Sequence, residues 1–299
     1  MVVGRVEWRT VAAALAGAAS RLQASSDAPR LEAELLLAHV LGLSRADLYA
    51  HPERALLPNQ LVHYQTLLDQ RAGGKPLPYL IGHVEFCGLD FSVDPRVLIP
   101  RPETETLVDL ALTLANRRPP TTDRLAIADV GTGSGCVAVA LAVRLPGVRV
   151  YALDLSLDAL AVARANASLH GVGDRITFMH SDLLEALSKP VDLIVANPPY
   201  VAADEWPTLP RHICEHEPRL ALDGGADGLD VVRRLLEQSP ACLRPGGALL
   251  VEIGAAQGNA ATHLARQAFP DAGVTLHADL AGHDRVLCVQ TQNRHSPTR

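Results

Sequence analysis

Asn197-Pro198-Pro199-Tyr200 is where this 299-residue sequence concentrates its chemistry. Consecutive prolines fix the backbone and withdraw two N–H donors. What remains is rich in acceptors: the Asn197 side-chain carbonyl and the main-chain carbonyls. Such a set suits an amide or aromatic NH2 group, which offers two donors and a delocalised lone pair. Gripping both N–H groups would aim that nitrogen at an electrophile through positioning and charge stabilisation, with no strong base required first. The face of Tyr200 could pack over a planar group and near a cation. Alone, the tetrapeptide reads as readily as a rigid turn.

A second group lies upstream. Asp129-Val130-Gly131-Thr132-Gly133-Ser134-Gly135 follows a short apolar run and opens a helical one. Glycines there permit a tight turn and close approach of a ligand to the backbone. The dinucleotide fingerprint G-x-G-x-x-G, counted from Gly131, needs its last glycine at Cys136, which counts against NAD. No Gly-Lys-Ser/Thr follows, so the loop is not a P-loop. Asp154 ends the next apolar run; its carboxylate could accept from both hydroxyls of a ribose, or cap the following helix. Asp182 follows the run after that, placed to reach an adenine amino group or to serve as a turn. Three such features at successive strand ends argue for a cofactor site better than any one of them.

The elements that must hold these residues follow from periodicity. Beyond Leu125, apolar strands are expected at 125–130, 148–153, 176–180, 191–196, 248–253, 274–278 and 286–290, with helices at 137–144 and 156–169. Continuous apolar strands alternating with helices specify a mostly parallel sheet covered on both faces. Pro95, Pro100 and Pro102 keep the preceding stretch extended, and a helix should run from Glu103 to about Asn116. Leu89, Phe91 and Val93 alternate as a strand, joined through Cys87-Gly88 to an earlier strand at 81–86. Before the breaker cluster Gly73-Gly74-Lys75-Pro76-Leu77-Pro78 the chain reads as a small helical bundle. One apolar face is Leu31, Leu35, Val40 and Leu41, with Glu32 and Glu34 off it; another is Leu61, Tyr64, Leu67 and Leu68. The expected division is a helical domain at 1–72, a hairpin linker at 73–94, a catalytic domain at 95–292 and a flexible tail at 293–299.

Composition bounds the partners. Net charge is −6, from 27 basic and 33 acidic residues, and acids outnumber bases on either side of Asp94. Proteins that grip phosphates carry a positive stripe, so no stable nucleic-acid partner is expected. Five scattered cysteines without a C-x-x-C pair argue for reduced thiols and a cytoplasmic location. His212, Cys214, His216 and Glu217 lack zinc spacing, and no metal is expected. Residues 11–19 are Ala-rich and follow Arg5 and Arg9, but they are weakly hydrophobic and Glu7 interrupts the basic region, so a packed helix is expected rather than a leader. No uncharged apolar run reaches the ~18 residues of a membrane helix. Arg101, between two prolines, either positions a ligand or pairs with Glu103 or Glu105. Arg233-Arg234 reads as a solvated helix face.

Together, residues 129–135, Asp154 and residues 197–200 resemble class I S-adenosylmethionine-dependent methyltransferases that act on planar nitrogen: DNA adenine, RNA guanine and protein glutamine enzymes. Other residues narrow the resemblance. Leu98-Ile99-Pro100-Arg101-Pro102-Glu103-Thr104-Glu105, Pro78-Tyr79-Leu80-Ile81-Gly82 and Glu85-Phe86-Cys87-Gly88-Leu89 are similar to signatures of the HemK/PrmC family, the N5-glutamine methyltransferases of peptide chain release factors. So are Glu217-Pro218 with Ala221-Leu222 and Gly228-Leu229, Glu252-Ile253-Gly254 with Gln257, and Asp279-Leu280-Ala281-Gly282 with Asp284-Arg285. The similarity runs from about Lys75 onward, with Cys87 where an aromatic is common. It implies a Rossmann-like, mostly parallel seven-stranded sheet, a β-hairpin linker and an N-terminal helical bundle that helps hold a bacterial class I release factor. It places S-adenosylmethionine at Gly131, Thr132, Gly133, Ser134, Gly135, Asp154, Asp182 and Asn197. Asn197, Pro198, Pro199 and Tyr200 would grip the glutamine of the substrate's Gly-Gly-Gln loop. The rival readings are a DNA or RNA amino-group methyltransferase, which requires a positive groove; a silent scaffold of the same fold, which requires a broken cofactor loop or N-P-P-Y; and an NAD-linked oxidoreductase.

Overall fold

The computed structural model describes residues 8–117 and 124–292, so Arg5, Glu7 and the tail expected at 293–299 lie outside the described residues. The described residues form two units, one of residues 8–83 with 210–216, the other of 84–117, 124–209 and 217–292.

The first unit is helical: α1 (Val11–Leu22), α2 (Pro29–Leu41), α3 (Arg45–Ala50), α4 (Pro58–Ala72) and α5 (Leu77–Ile81). In α1, Val11, Ala14, Leu15, Ala18 and Leu22 are buried at helical spacing, so the Ala-rich stretch is a packed amphipathic helix. The face that α2 buries is not the expected one. Ala33, Glu34, Leu36 and Leu37 are inside, and Leu31 is exposed. Glu34 explains the rotation. Its carboxylate accepts from Arg30 Nε at 2.7 Å, from Arg45 Nη2 at 2.8 Å and from the Tyr49 hydroxyl. A carboxylate so supplied with donors tolerates burial. Tyr64, Leu67 and Leu68 of α4 are buried as expected, and the Tyr64 hydroxyl donates to the Ala33 carbonyl at 2.9 Å. The strand expected at 81–86 starts later, because residue 81 ends α5. Pro78 stands in the first turn, where its missing N–H is harmless, and Gly82 at φ 83° closes the helix.

After α5 comes a hairpin of β1 (His83–Phe86) and β2 (Leu89–Ser92). Cys87 and Gly88 both have positive φ, 52° and 74°, as a primed two-residue turn demands. A 3-10 turn at Pro102–Thr104 leads into α6 (Glu105–Arg117). There follow β3 (Ala126–Val130), α7 (Cys136–Arg144), β4 (Arg149–Asp154), α8 (Leu157–Leu169), β5 (Ile176–His180) and β6 (Val191–Ala196). A short α9 (Arg211–His216) belongs to the first unit. The second resumes with α10 (Asp230–Cys242), β7 (Leu243–Glu252), α11 (Gly258–Ala268), β8 (Gly273–Ala278) and β9 (Asp284–Gln290).

The seven strands from β3 onward form one sheet in the order β5-β4-β3-β6-β7-β9-β8. β3 lies parallel to β4 and β6, and β9 is inserted antiparallel between β7 and β8. β3 and β6 are buried at every position, as strands covered on both faces must be. One cover packs Leu107, Leu141 and Ala167 of α6, α7 and α8; the other packs Val232, Leu236 and Ala261 of α10 and α11. The strand order reverses at β3. Such a switch point opens a crevice beyond the carboxyl ends of the strands, and the segments leaving β3 and β6 there are residues 131–135 and 197–200.

Candidate active site

The loop after β3 is built by backbone bonds and one buried acid. The Gly131 and Thr132 N–H groups donate to the Leu153 carbonyl at 2.8 and 3.0 Å, pinning the loop to the end of β4. Asp129 is buried in β3 and accepts from the Thr132 hydroxyl at 2.6 Å and the Ala138 N–H at 3.1 Å. It thereby ties the loop to the first turn of α7. Burial pushes its pKa up to about 7. Gly135 starts α7 at φ 80°, and a Cβ there would stand 2.9 Å from Ala163 Cβ of α8. Only glycine suits both the conformation and the space.

Asp154 ends β4 facing this loop. One carboxylate oxygen accepts from the Gly133 N–H at 2.8 Å, the other from the Ser156 N–H at 2.8 Å. Each oxygen keeps a further lone pair. Burial raises the Asp154 pKa, and the two N–H donors work against that rise. The helix cap that Asp154 could have supplied comes instead from Ser156, which accepts from the Ala159 N–H at 3.1 Å. Asp182 lines the same cleft, but its carboxylate is paired with Arg234 at 2.7 Å. Arg233 pairs with Asp227 and Asp230. The two arginines are therefore ion-paired, not simply solvated, and Arg234 reaches the cleft wall.

On the β6 side, Asn197 Nδ2 donates to Thr104 Oγ1 at 3.1 Å. That bond leaves the Asn197 carbonyl oxygen as the side chain's acceptor. The Tyr200 carbonyl accepts from Gln257 Nε2 at 2.9 Å, and a Cβ on Gly228 would approach that same carbonyl oxygen to 2.4 Å. Burial pushes the Tyr200 hydroxyl up to about 12. Arg101 pairs with neither Glu103 nor Glu105. Its guanidinium meets Glu217 at 2.6 Å, and Glu217 also accepts from the Ile99 N–H at 3.2 Å. With Glu217 wholly buried, this pair clamps the extended 99–101 segment along the cleft.

Gly131, Thr132, Gly133, Ser134, Asp154, Asp182, Asn197 and Pro199 all line one cleft. Gly135 instead serves the α7–α8 contact, and Pro198 is buried. Sequence reasoning assigned no role to Asp129, Thr104 or Arg234. Thr104 and Arg101 stood inside a family motif, but their partners could not be read from it.

An order that reverses at β3, with one antiparallel strand inserted near the far edge, is the sheet of class I S-adenosylmethionine-dependent methyltransferases. The hMettl16 catalytic domain shares that fold at TM-score 0.55 and 16% identity, over 82% of this chain and 87% of that one. Residues 13–82 match the PrmC N-terminal domain and residues 108–226 the methyltransferase small domain. The release factor glutamine methyltransferase of Chlorobaculum tepidum is 44% identical over 272 residues, 89% of this chain and 92% of that protein. That of Moorella thermoacetica is 45% identical over 280 residues, 93% and 97% of the two chains. The chain belongs to the release factor glutamine methyltransferase family. Among the described residues, no group of three or more His, Cys, Asp or Glu could hold a metal ion, and no helix is long and apolar enough to cross a membrane.

Proposed function

We infer that this protein transfers a methyl group from S-adenosylmethionine to the side-chain amide nitrogen of the glutamine in the Gly-Gly-Gln loop of bacterial class I release factors. The cleft suits that cofactor. A Cβ on Gly131 would come within 3.9 Å of the Asn197 carbonyl oxygen, so the missing side chain leaves a cradle between the two loops. Asp154, with a free lone pair on each oxygen, would accept from the ribose hydroxyls. Gly131, Thr132, Gly133 and Ser134 would line the cradle, and Asp182 with Arg234 would border the adenine. When bound, S-adenosylmethionine supplies an electrophilic methyl carried on a sulfonium.

The protein's own task is to present a nitrogen to that methyl. An amide nitrogen is planar and weakly nucleophilic, and its N–H groups can be held by acceptors. Asn197 Oδ1 is one acceptor. Main-chain carbonyls at Asn197 and Pro198 are the others available on a strand end stripped of donors by Pro198 and Pro199. Held this way, the nitrogen's lone pair faces the cleft and the developing positive charge on its N–H groups meets fixed dipoles. Tyr200 packs its ring beside the planar amide. The observation that carries this reading is the bond from Asn197 Nδ2 to Thr104, which engages the donor end of the amide and leaves its carbonyl oxygen to accept.

The net charge of −6 gives no support to a nucleic-acid substrate. With a release-factor substrate, the protein's work would belong to the cytoplasm and to translation termination. Transfer of labelled methyl to purified release factor, beside duplex DNA and RNA, tests the reading. Label is expected on the release factor alone and should vanish when its Gly-Gly-Gln glutamine is changed to alanine. Label on nucleic acid alone would keep the cleft and lose the substrate.

A further inference from the structure

Glu252, at the carboxyl end of β7, is a buried acid for which the methyl transfer just described has no use. Both of its carboxylate oxygens are enclosed, and neither completes a hydrogen bond of good geometry. Buried polar groups left unpaired are rare and call for an explanation. Burial dominates its surroundings and pushes its pKa up to about 7. The hydroxyls of Thr104 and Tyr200 face it closely enough to favour the charged form, as does Arg285 of β9, while Glu103 opposes it. Its neighbours are thus the two residues that adjoin the acceptor grip. Thr104 receives the Asn197 amide, and Tyr200 closes the tetrapeptide.

We propose that Glu252 is a positioning residue for methyl transfer: its carboxylate takes the hydroxyl hydrogens of Thr104 and Tyr200 and so dictates which end of the Asn197 amide faces the acceptor. The inference rests on the reading that Asn197 grips the acceptor nitrogen. A threonine hydroxyl has one hydrogen. If Thr104 directs it to Glu252, only lone pairs remain to meet Asn197. Asn197 must then offer Nδ2 to Thr104 and Oδ1 to the cleft. If the hydrogen were free to point at Asn197, the amide could turn over and confront the acceptor's N–H groups with its own. An ionised carboxylate can only accept. A protonated one, or an amide, also carries a hydrogen and leaves the direction open. The same carboxylate, receiving the Tyr200 hydroxyl, fixes the ring against the acceptor. No bond forms or breaks at Glu252, and no proton leaves it during turnover.

Glu252→Gln keeps the shape and removes the obligatory acceptor. Its kcat on release factor should fall by roughly 100-fold, the penalty of a misplaced reacting group, with S-adenosylmethionine affinity by calorimetry unchanged. The wild-type rate should climb as pH rises through about 7, and that limb should be missing in Glu252→Gln. Thr104→Val breaks the relay and should reproduce the loss; Thr104→Ser restores the hydroxyl and should recover most of it. A Glu252→Gln enzyme with wild-type kcat and an unaltered pH limb overturns the proposal. Should that variant not fold, equal rates for Thr104→Val and Thr104→Ser overturn it instead. A wild-type protein that labels no release factor contradicts the underlying reading, an outcome distinct from either.

Discussion

Thr104 and Asn197 meet through one hydrogen bond on a surface facing the cleft, so truncating Asn197 deletes an acceptor without hollowing the core. Asn197→Ala should lower kcat by roughly 100-fold or more, the scale of losing one preorganised polar contact in a transition state. Cofactor affinity by calorimetry should stay near wild type; an equal collapse would move Asn197 from the acceptor to the cofactor. Asp154→Ala should do the reverse. It removes the acceptor proposed for the ribose and strips the Gly133 and Ser156 N–H groups of their partner. S-adenosylmethionine should bind about 10- to 100-fold more weakly, the value of one or two bonds to a charged group, and unchanged affinity would take Asp154 out of the site. Both residues were legible in the sequence because each closes an apolar run. Their partnerships were not. Arg101 and Glu217 stand 116 residues apart, Thr104 and Asn197 93, Asp182 and Arg234 52. Pairs so distant meet only once strand order is known.

Among the elements, the contact between α7 and α8 decides how tightly the glycine loop is held. Gly135→Ala would force a left-handed residue to carry a Cβ 2.9 Å from Ala163 Cβ. Backbone strain of this kind costs about 1–3 kcal/mol, and denaturant unfolding should show that loss together with weaker cofactor binding. Stability equal to wild type would mean the helices can part there freely. The strands β3, β5 and β6 of the central sheet were legible to within a residue or so as short, largely apolar runs. β7 was read too short. It starts at Leu243 and passes through Pro245-Gly246-Gly247, a breaker sequence that the sheet tolerates where its pairing with β6 shifts register. The buried face of α2 was misjudged for a chemical reason. Glu34 looks like a surface residue until Arg30, Arg45 and Tyr49 are seen around it.

For the molecule as a whole, buried acids set a pH dependence of stability. Asp129 is raised from 3.8 and Glu252 from 4.5, each to about 7. The folded chain therefore keeps protons that the unfolded chain releases. Their contribution is complete below the unfolded values and is lost as pH rises through about 7. The melting temperature should fall between about pH 5 and pH 8 more steeply in wild type than in Asp129→Asn. The difference should be worth a few kcal/mol at most, because a tenfold change in proton affinity is about 1.4 kcal/mol. Parallel slopes would show that Asp129 is not raised. The helical unit has its own core around Leu15, Leu36, Tyr64 and Leu68. Deleting residues 1–72 should spare cofactor binding and impair methylation of intact release factor, measured as kcat/KM; full activity would deny that region a docking role. The substrate is where composition and periodicity stopped: spacing pointed to a planar nitrogen, and the release factor came from family motifs alone. Tandem mass spectrometry of release factor treated with the protein and S-adenosylmethionine tests the central claim most directly. A single methyl on the side-chain nitrogen of the Gly-Gly-Gln glutamine is the predicted result. A methyl on any other atom of the release factor, or none, would contradict the account.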